Sequence, residues 1–407
     1  MKKCFFGAIA VLALASCSNE KVVELSQDQE IKLTVEAGKA TSRAADGYCP
    51  ANLPPSFQVW AKQETKNYFE GETFKKNDAG TAWEINSTDK RYWPESGNLQ
   101  MFAALNYEGA NSSTVTWDAT NTTTPAQVKD FVVPNAVNAQ KDFIYAVNAA
   151  TSKADNKLNF RHGLAEVVFR AQNLNPNIYV EVTGVKVMNV QNKGTFTFPI
   201  ASTSDNVKDE SNPQNGASFE GKTQGSWDVT TTSLDSYTVT LPSAVEVSQA
   251  ATNTTPVSLT YDFKSQTERY NANSLYLMEQ KETKVWNGTD ALKKAGEGEG
   301  AQKVYDTECG AYLILTCSIW NVAAGNGSVK ADTDVALWTN KDIAVKLPSL
   351  AWKHGYKYVY TFKFTENGNG GTDPDTDEPV FTPIELTVDV DDFVNETETP
   401  VDMVDLP

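Results

Sequence analysis

The chain is expected to be all-β. Apolar residues recur at every second position through most of its 407 residues, and no long amphipathic helical repeat interrupts them. Thr, Asn, Gly and Ser fill the gaps between the apolar runs. Many short strands joined by polar turns favour sandwich architectures.

Each element follows from this alternation. Ile31, Leu33 and Val35 alternate with Lys32, Thr34 and Glu36, which predicts a strand with one buried face. Phe57, Val59 and Ala61 repeat the pattern. From Tyr179 to Val190 the apolar phase switches at Gly184, predicting a bulge or bend. Tyr237, Val239 and Leu241 form another stripe, and Val257, Leu259, Tyr261 and Phe263 a longer one. Ala311 to Trp320 is apolar on both faces and reads as a central strand. Tyr358, Tyr360, Phe362 and Phe364 predict a further half-buried strand, and Ile384 to Val390 the last. Two polar stretches divide the series. Residues 149–157 (AATSKADNK) read as an interdomain linker, and residues 366–379 (ENGNGGTDPDTDEP) as a flexible, extended tether for the last strand.

The N-terminus carries a different signal. Met1-Lys2-Lys3 precedes an apolar run, Phe5 to Ala15, that is too short to span a bilayer as a stable helix. The following Leu14-Ala15-Ser16-Cys17 resembles the lipobox of bacterial lipoproteins. That resemblance implies a diacylglycerol on the Cys17 sulfur, cleavage of residues 1–16, and export from the cytoplasm with an acylated N-terminus. The formal net charge of -17 argues against nucleic acid or an anionic lipid surface as a partner. Cys49, Cys309 and Cys317 remain beyond the lipobox, an odd number, and no disulfide is assigned among them.

Little in the chain suggests catalysis. His162 and His354 lie far apart beside glycine and apolar strands, and read as packed or turn histidines. No His-Glu-x-x-His, Gly-x-Ser-x-Gly, Walker loop or dinucleotide fingerprint occurs. Cys309 and Cys317 lack zinc-site spacing. Asp373, Asp375 and Asp377 alternate as in a calcium loop, but Glu378 stands where the turn glycine belongs and Pro374 stiffens the stretch, which reads as solvated linker. The expectation is therefore a protein that is not an enzyme, with no catalytic residue, metal site or cofactor. Trp286 and Trp338 have polar neighbours and are the tryptophans expected to be exposed.

Several local patterns, taken in order, resemble the fimbrillin family, the pilins of type V pili. Thr41-Ser42-Arg43-Ala44 follows the first strand, then come Phe57-Gln58-Val59-Trp60-Ala61, Tyr92-Trp93-Pro94 and Leu99 to Leu105. Gln140-Lys141-Asp142-Phe143-Ile144 leads to Phe160-Arg161-His162-Gly163-Leu164. Gly184-Val185-Lys186-Val187 and Gly194-Thr195-Phe196 continue the series, and Trp352 to Tyr358 and Ile384 to Phe393 close it. The resemblance implies two transthyretin-like β-sandwich domains in tandem, assigned here to residues 44–152 and 153–407, the second ending in a tethered strand at 380–407. It also implies a propeptide at 17–43, surface proteolysis and polymerisation by strand exchange.

Those implications assign roles to residues. An arginine-specific protease would cut between Arg43 and Ala44, in a small polar stretch suited to an exposed loop, and would remove the strand carrying Ile31, Leu33 and Val35. A strand from another pilin subunit would fill the groove, and Leu386, Val388 and Val390 carry the alternating face of a C-terminal donor. Alternatives stay open at both ends. Arg43 also reads as an ordinary solvated loop arginine, and the last strand as the closing strand of its own domain. The expected location is the cell surface, first on the outer membrane through lipid and then in a fimbrium supporting adhesion to an unidentified ligand. Rival readings are a glycan-binding lipoprotein that stays anchored at Cys17, and a tip or anchor subunit of the pilus.

Overall fold

A computed structural model describes residues 30–37, 53–148, 157–200, 224–260, 274–292, 307–322, 329–366, 371–376, 379–380 and 384–392. The chain opens with β1 (Lys32–Ala37), β2 (Ser56–Gln63), β3 (Lys66–Lys76), β4 (Trp83–Ile85) and β5 (Leu99–Leu105). It continues through β6 (Val115–Trp117), β7 (Ala126–Val132), β8 (Ile144–Asn148) and β9 (Lys157–His162). Next come β10 (Ala165–Asn173), β11 (Ile178–Gln191), β12 (Lys193–Thr197), β13 (Ser226–Val229) and β14 (Leu234–Val247). After a single helical turn at Gln249–Thr252 follow β15 (Val257–Ser258), β16 (Leu275–Leu277), β17 (Tyr312–Asn321), β18 (Val335–Val345) and β19 (Tyr356–Phe364). The last are β20 (Gly371–Thr372), β21 (Pro379–Val380) and β22 (Ile384–Asp392). The all-β expectation holds, and the sheets pack as sandwich layers around shared apolar clusters.

Strands β1-β4-β3-β2-β5-β8-β9 close into a barrel. Closure falls on β1, which pairs antiparallel with β4 and parallel with β9. Its interior holds Ile31, Leu33, Phe57, Phe74, Trp83 and Phe160, with Phe57 and Phe160 in edge contact at 5.0 Å. The outer face of part of this wall is also buried. In β5, Leu99, Met101 and Ala103 point into the barrel, while Phe102 and Ala104 join a second cluster. The sheet β13-β12-β7-β6 contributes Val128, Phe131, Phe196 and Trp227 to that same cluster. This is why LQMFAAL is apolar at nearly every position: both faces of the strand are covered.

Two further sheets share the second cluster. One has the order β15-β10-β19-β22, with β16 also on β10; the other runs β14-β11-β17-β18-β20-β21. Strands β10 and β19 are parallel, and Phe169 stacks near Tyr360 at 6.0 Å. The phase switch expected at Gly184 is present as a register shift between Val182 and Gly184 on both neighbours of β11. It lets Val180 and Val182 before it and Val185 and Val187 after it face one core. The expected central strand is β17, buried along most of its length between β11 and β18.

Two expectations are corrected. Trp286 is 2% exposed: it packs on Tyr312 (5.6 Å), Met188 and Leu292 in a satellite cluster on the far face of β17. Its indole N–H donates to the Asp290 carbonyl at 2.9 Å, so its polar neighbours satisfy a buried ring and do not mark an exposed one. Trp338 is half-buried. The stretch after Glu366 is not simply an extended tether either. Gly371–Thr372 and Pro379–Val380 pair with each other, and Thr372 pairs with Ala344 of β18. The polar stretch at 149–156 lies outside the described residues, and strands on its two sides pair directly, β8 with β9 and β7 with β12.

Candidate functional site

The first and last described strands, which lie in different sheets, are the candidate functional elements. β1 is short, but both of its edges are bonded and one face is wholly inside. Ile31 and Leu33 are fully buried and Val35 nearly so. Each contributes about 1.5–3 kcal/mol of apolar burial, as an upper estimate. Outside the barrel, Lys32 stands directly across from Glu84 and bridges to it at 3.1 Å. That contact holds the Lys32 ammonium above its usual range and the Glu84 carboxyl below its own. Just before the strand, Ile31 donates its N–H to the Arg91 carbonyl at 2.8 Å, and Glu30 meets Lys90 at 2.8 Å. If β1 left, β4 and β9 would both present unpaired backbone, and the ring of Phe57, Trp83 and Phe160 would be open to water.

β22 is placed differently. Among the described residues it lies on one neighbour, nine residue pairs along β19 from Tyr356↔Asp392 to Phe364↔Ile384. Ile384 and Val388 are buried, and Leu386 is half-buried against the same cluster. Val390 lies across from Tyr358 in the register. The chain thus holds its last strand on its own sheet, where it covers one edge.

The other residues singled out in the sequence are scattered. Cys17, Arg43, Ala44 and Cys49 lie outside the described residues. His162 meets the fully buried Asp142 at 2.9 and 3.0 Å, and His354 meets Glu279 at 2.7 Å. Cys309 and Cys317 are both buried thiols, and burial pushes the Cys317 thiol well up. Among the described residues no group of three or more His, Cys, Asp or Glu is arranged to hold a metal ion. Sequence reasoning missed Glu84 and its link to Lys32, because Glu84 lies in a strand of three residues, too short to show a period.

This geometry defines an all-β protein in which the first described strand closes a barrel and the last described strand covers a sheet edge. A profile of the fimbrillin-like family matches residues 42–292, and the chain belongs to that family. No curated protein matches it. Among solved structures it is similar to a fimbrial protein from Bacteroides vulgatus at 14% identity and a TM-score of 0.47, covering 88% of this chain and 98% of that one. A candidate cell adhesion protein from Bacteroides uniformis aligns at 13% identity and a TM-score of 0.42, covering 90% of this chain and 99% of that one.

Proposed function

We propose that this chain is a structural subunit of a surface pilus, exported as a lipoprotein on Cys17, trimmed after Arg43 and polymerised by strand exchange. Family membership supports the pilus role. One observation carries the exchange reading: the strand that a cut after Arg43 would detach from the rest of the chain is the one that closes the barrel. Its loss opens a groove with two bonding edges and an apolar floor, which a strand from another subunit fills by β-addition. Among the described residues β22 pairs with β19 alone, whereas β1 pairs on both edges, so donating β22 breaks one ladder of strand pairing. Pilin subunits of the same or related kind are then the partners, and the lipid is a temporary tether to the outer membrane.

The N-terminal residue of protein taken from intact cells tests this reading. Ala44 is expected in the assembled form, and Arg43→Ala should leave a lipidated, unassembled precursor beginning at Cys17. Normal trimming and assembly in that variant would remove Arg43 from the scheme. An acylated Cys17 on all surface protein would instead fit an anchored subunit or a surface receptor.

A further inference from the structure

β1 and β22 are close copies of each other. Ile31-Lys32-Leu33-Thr34-Val35-Glu36-Ala37 aligns with Ile384-Glu385-Leu386-Thr387-Val388-Asp389-Val390. Ile, Leu, Thr and Val recur at identical offsets, and Glu36 is matched by Asp389. The inward and outward pattern also agrees, since Ile31 and Ile384 are buried while Lys32 and Glu385 are exposed. The match runs in the same chain direction, so β22 taking the place of β1 keeps its polarity. Leu386 would then lie across from Trp83, and Val388 across from Leu158. A slip of one residue would turn the apolar face outward, so this register is strongly specified.

One outward position breaks the match by reversing charge. Lys32 faces Glu84 in the barrel, whereas Glu385 faces Lys363 in the home sheet. Each strand therefore sits opposite a charge complementary to its own. Moving β22 into the β1 slot sets Glu385 against Glu84 and leaves Lys363 without its cross-strand carboxylate.

We infer that Lys32, Glu84, Lys363 and Glu385 form a charge code that disfavours insertion of this chain's own β22 and makes Glu84 the residue that selects donors, preferring a strand with a cation at the second position. This inference rests on the strand-exchange reading. Directly opposed like charges weaken strand pairing, and opposed unlike charges strengthen it, by modest amounts.

The test uses the full chain, trimmed with an arginine-specific protease and separated from the released segment, with the critical concentration for polymer as the readout. Glu84→Lys and Glu385→Lys should each lower it about two- to fivefold relative to wild type, and the gain should shrink as salt rises. The double variant again opposes like charges and should return toward wild type. If Glu385→Lys acted only by loosening β22 from Lys363, the double variant would keep the gain, and the code would be overturned. Lys32→Ala weakens only the departing strand and should leave the value unchanged. Equal critical concentrations in all variants would overturn the code and leave strand exchange standing. Absence of polymer from every variant would overturn both.

Discussion

Leu33 and Lys32 are neighbours on one strand with opposite fates. Leu33 is fully buried in the barrel, so Leu33→Ala removes apolar volume that its surroundings refill only in part. The expected cost is about 2–5 kcal/mol in urea unfolding of the full chain. Lys32 is an exposed partner of Glu84, and Lys32→Ala should cost no more than about 1 kcal/mol. The two losses differ in pH dependence. Glu84 has its folded pKa depressed below the usual 4.5, so its contribution is present above that value and fades as pH falls through the depressed one. Lys32 is raised above the usual 10.5, so its contribution is complete below that value and is lost as pH rises through the raised one. The Lys32→Ala deficit should therefore shrink as pH falls below 4.5 and through the depressed Glu84 value, while the Leu33→Ala deficit persists. A Lys32→Ala deficit that stayed constant from neutral to acid pH would mean the contact is not electrostatic.

At the scale of elements, alternation made the strands legible but not their neighbours. The side-chain period of two assigns each residue to a face, and this is enough for β2, β19 and β22. It does not say which strand lies alongside, so the parallel pairing of β1 with β9, more than a hundred residues away, could not be read. The burial of Trp286 is hidden from its local sequence for a related reason. The residues that bury it, Met188 and Tyr312, are remote in sequence, while its sequence neighbours are polar. The acidic, glycine-rich stretch before β22 was legible as linker by composition, yet part of it pairs. Gly371 is the reason: a Cβ there would lie 2.3 Å from Ile343 Cγ2 and 2.9 Å from the Ala344 carbonyl oxygen. Glycine lets β20 approach β18 at this point. Gly371→Ala should detach the hairpin of β20 and β21, seen as faster cleavage of residues 366–379 by an acid-residue-specific protease, with the barrel unaffected. Unchanged cleavage would show that the hairpin tolerates the side chain.

For the whole molecule, the consequence of a cut between the described segments 30–37 and 53–148 is thermodynamic before it is structural. Breaking one peptide bond does not expel β1. Ile31, Leu33 and Val35 remain buried, and both edges remain bonded. What changes is that closing the barrel becomes a bimolecular event. In the intact chain the connecting segment supplies an effective concentration on the order of millimolar, and the cut replaces it with the actual concentration of the released segment. A strand that binds only the folded form stabilises it according to its free concentration. The melting temperature of the intact chain should therefore not change on dilution, whereas that of the cut chain should fall with each tenfold dilution. Adding a peptide of residues 30–37 should restore it. A cut chain that melted at the same temperature at every concentration would show that β1 is not part of the cooperative unit, and removing it would then open no groove worth filling.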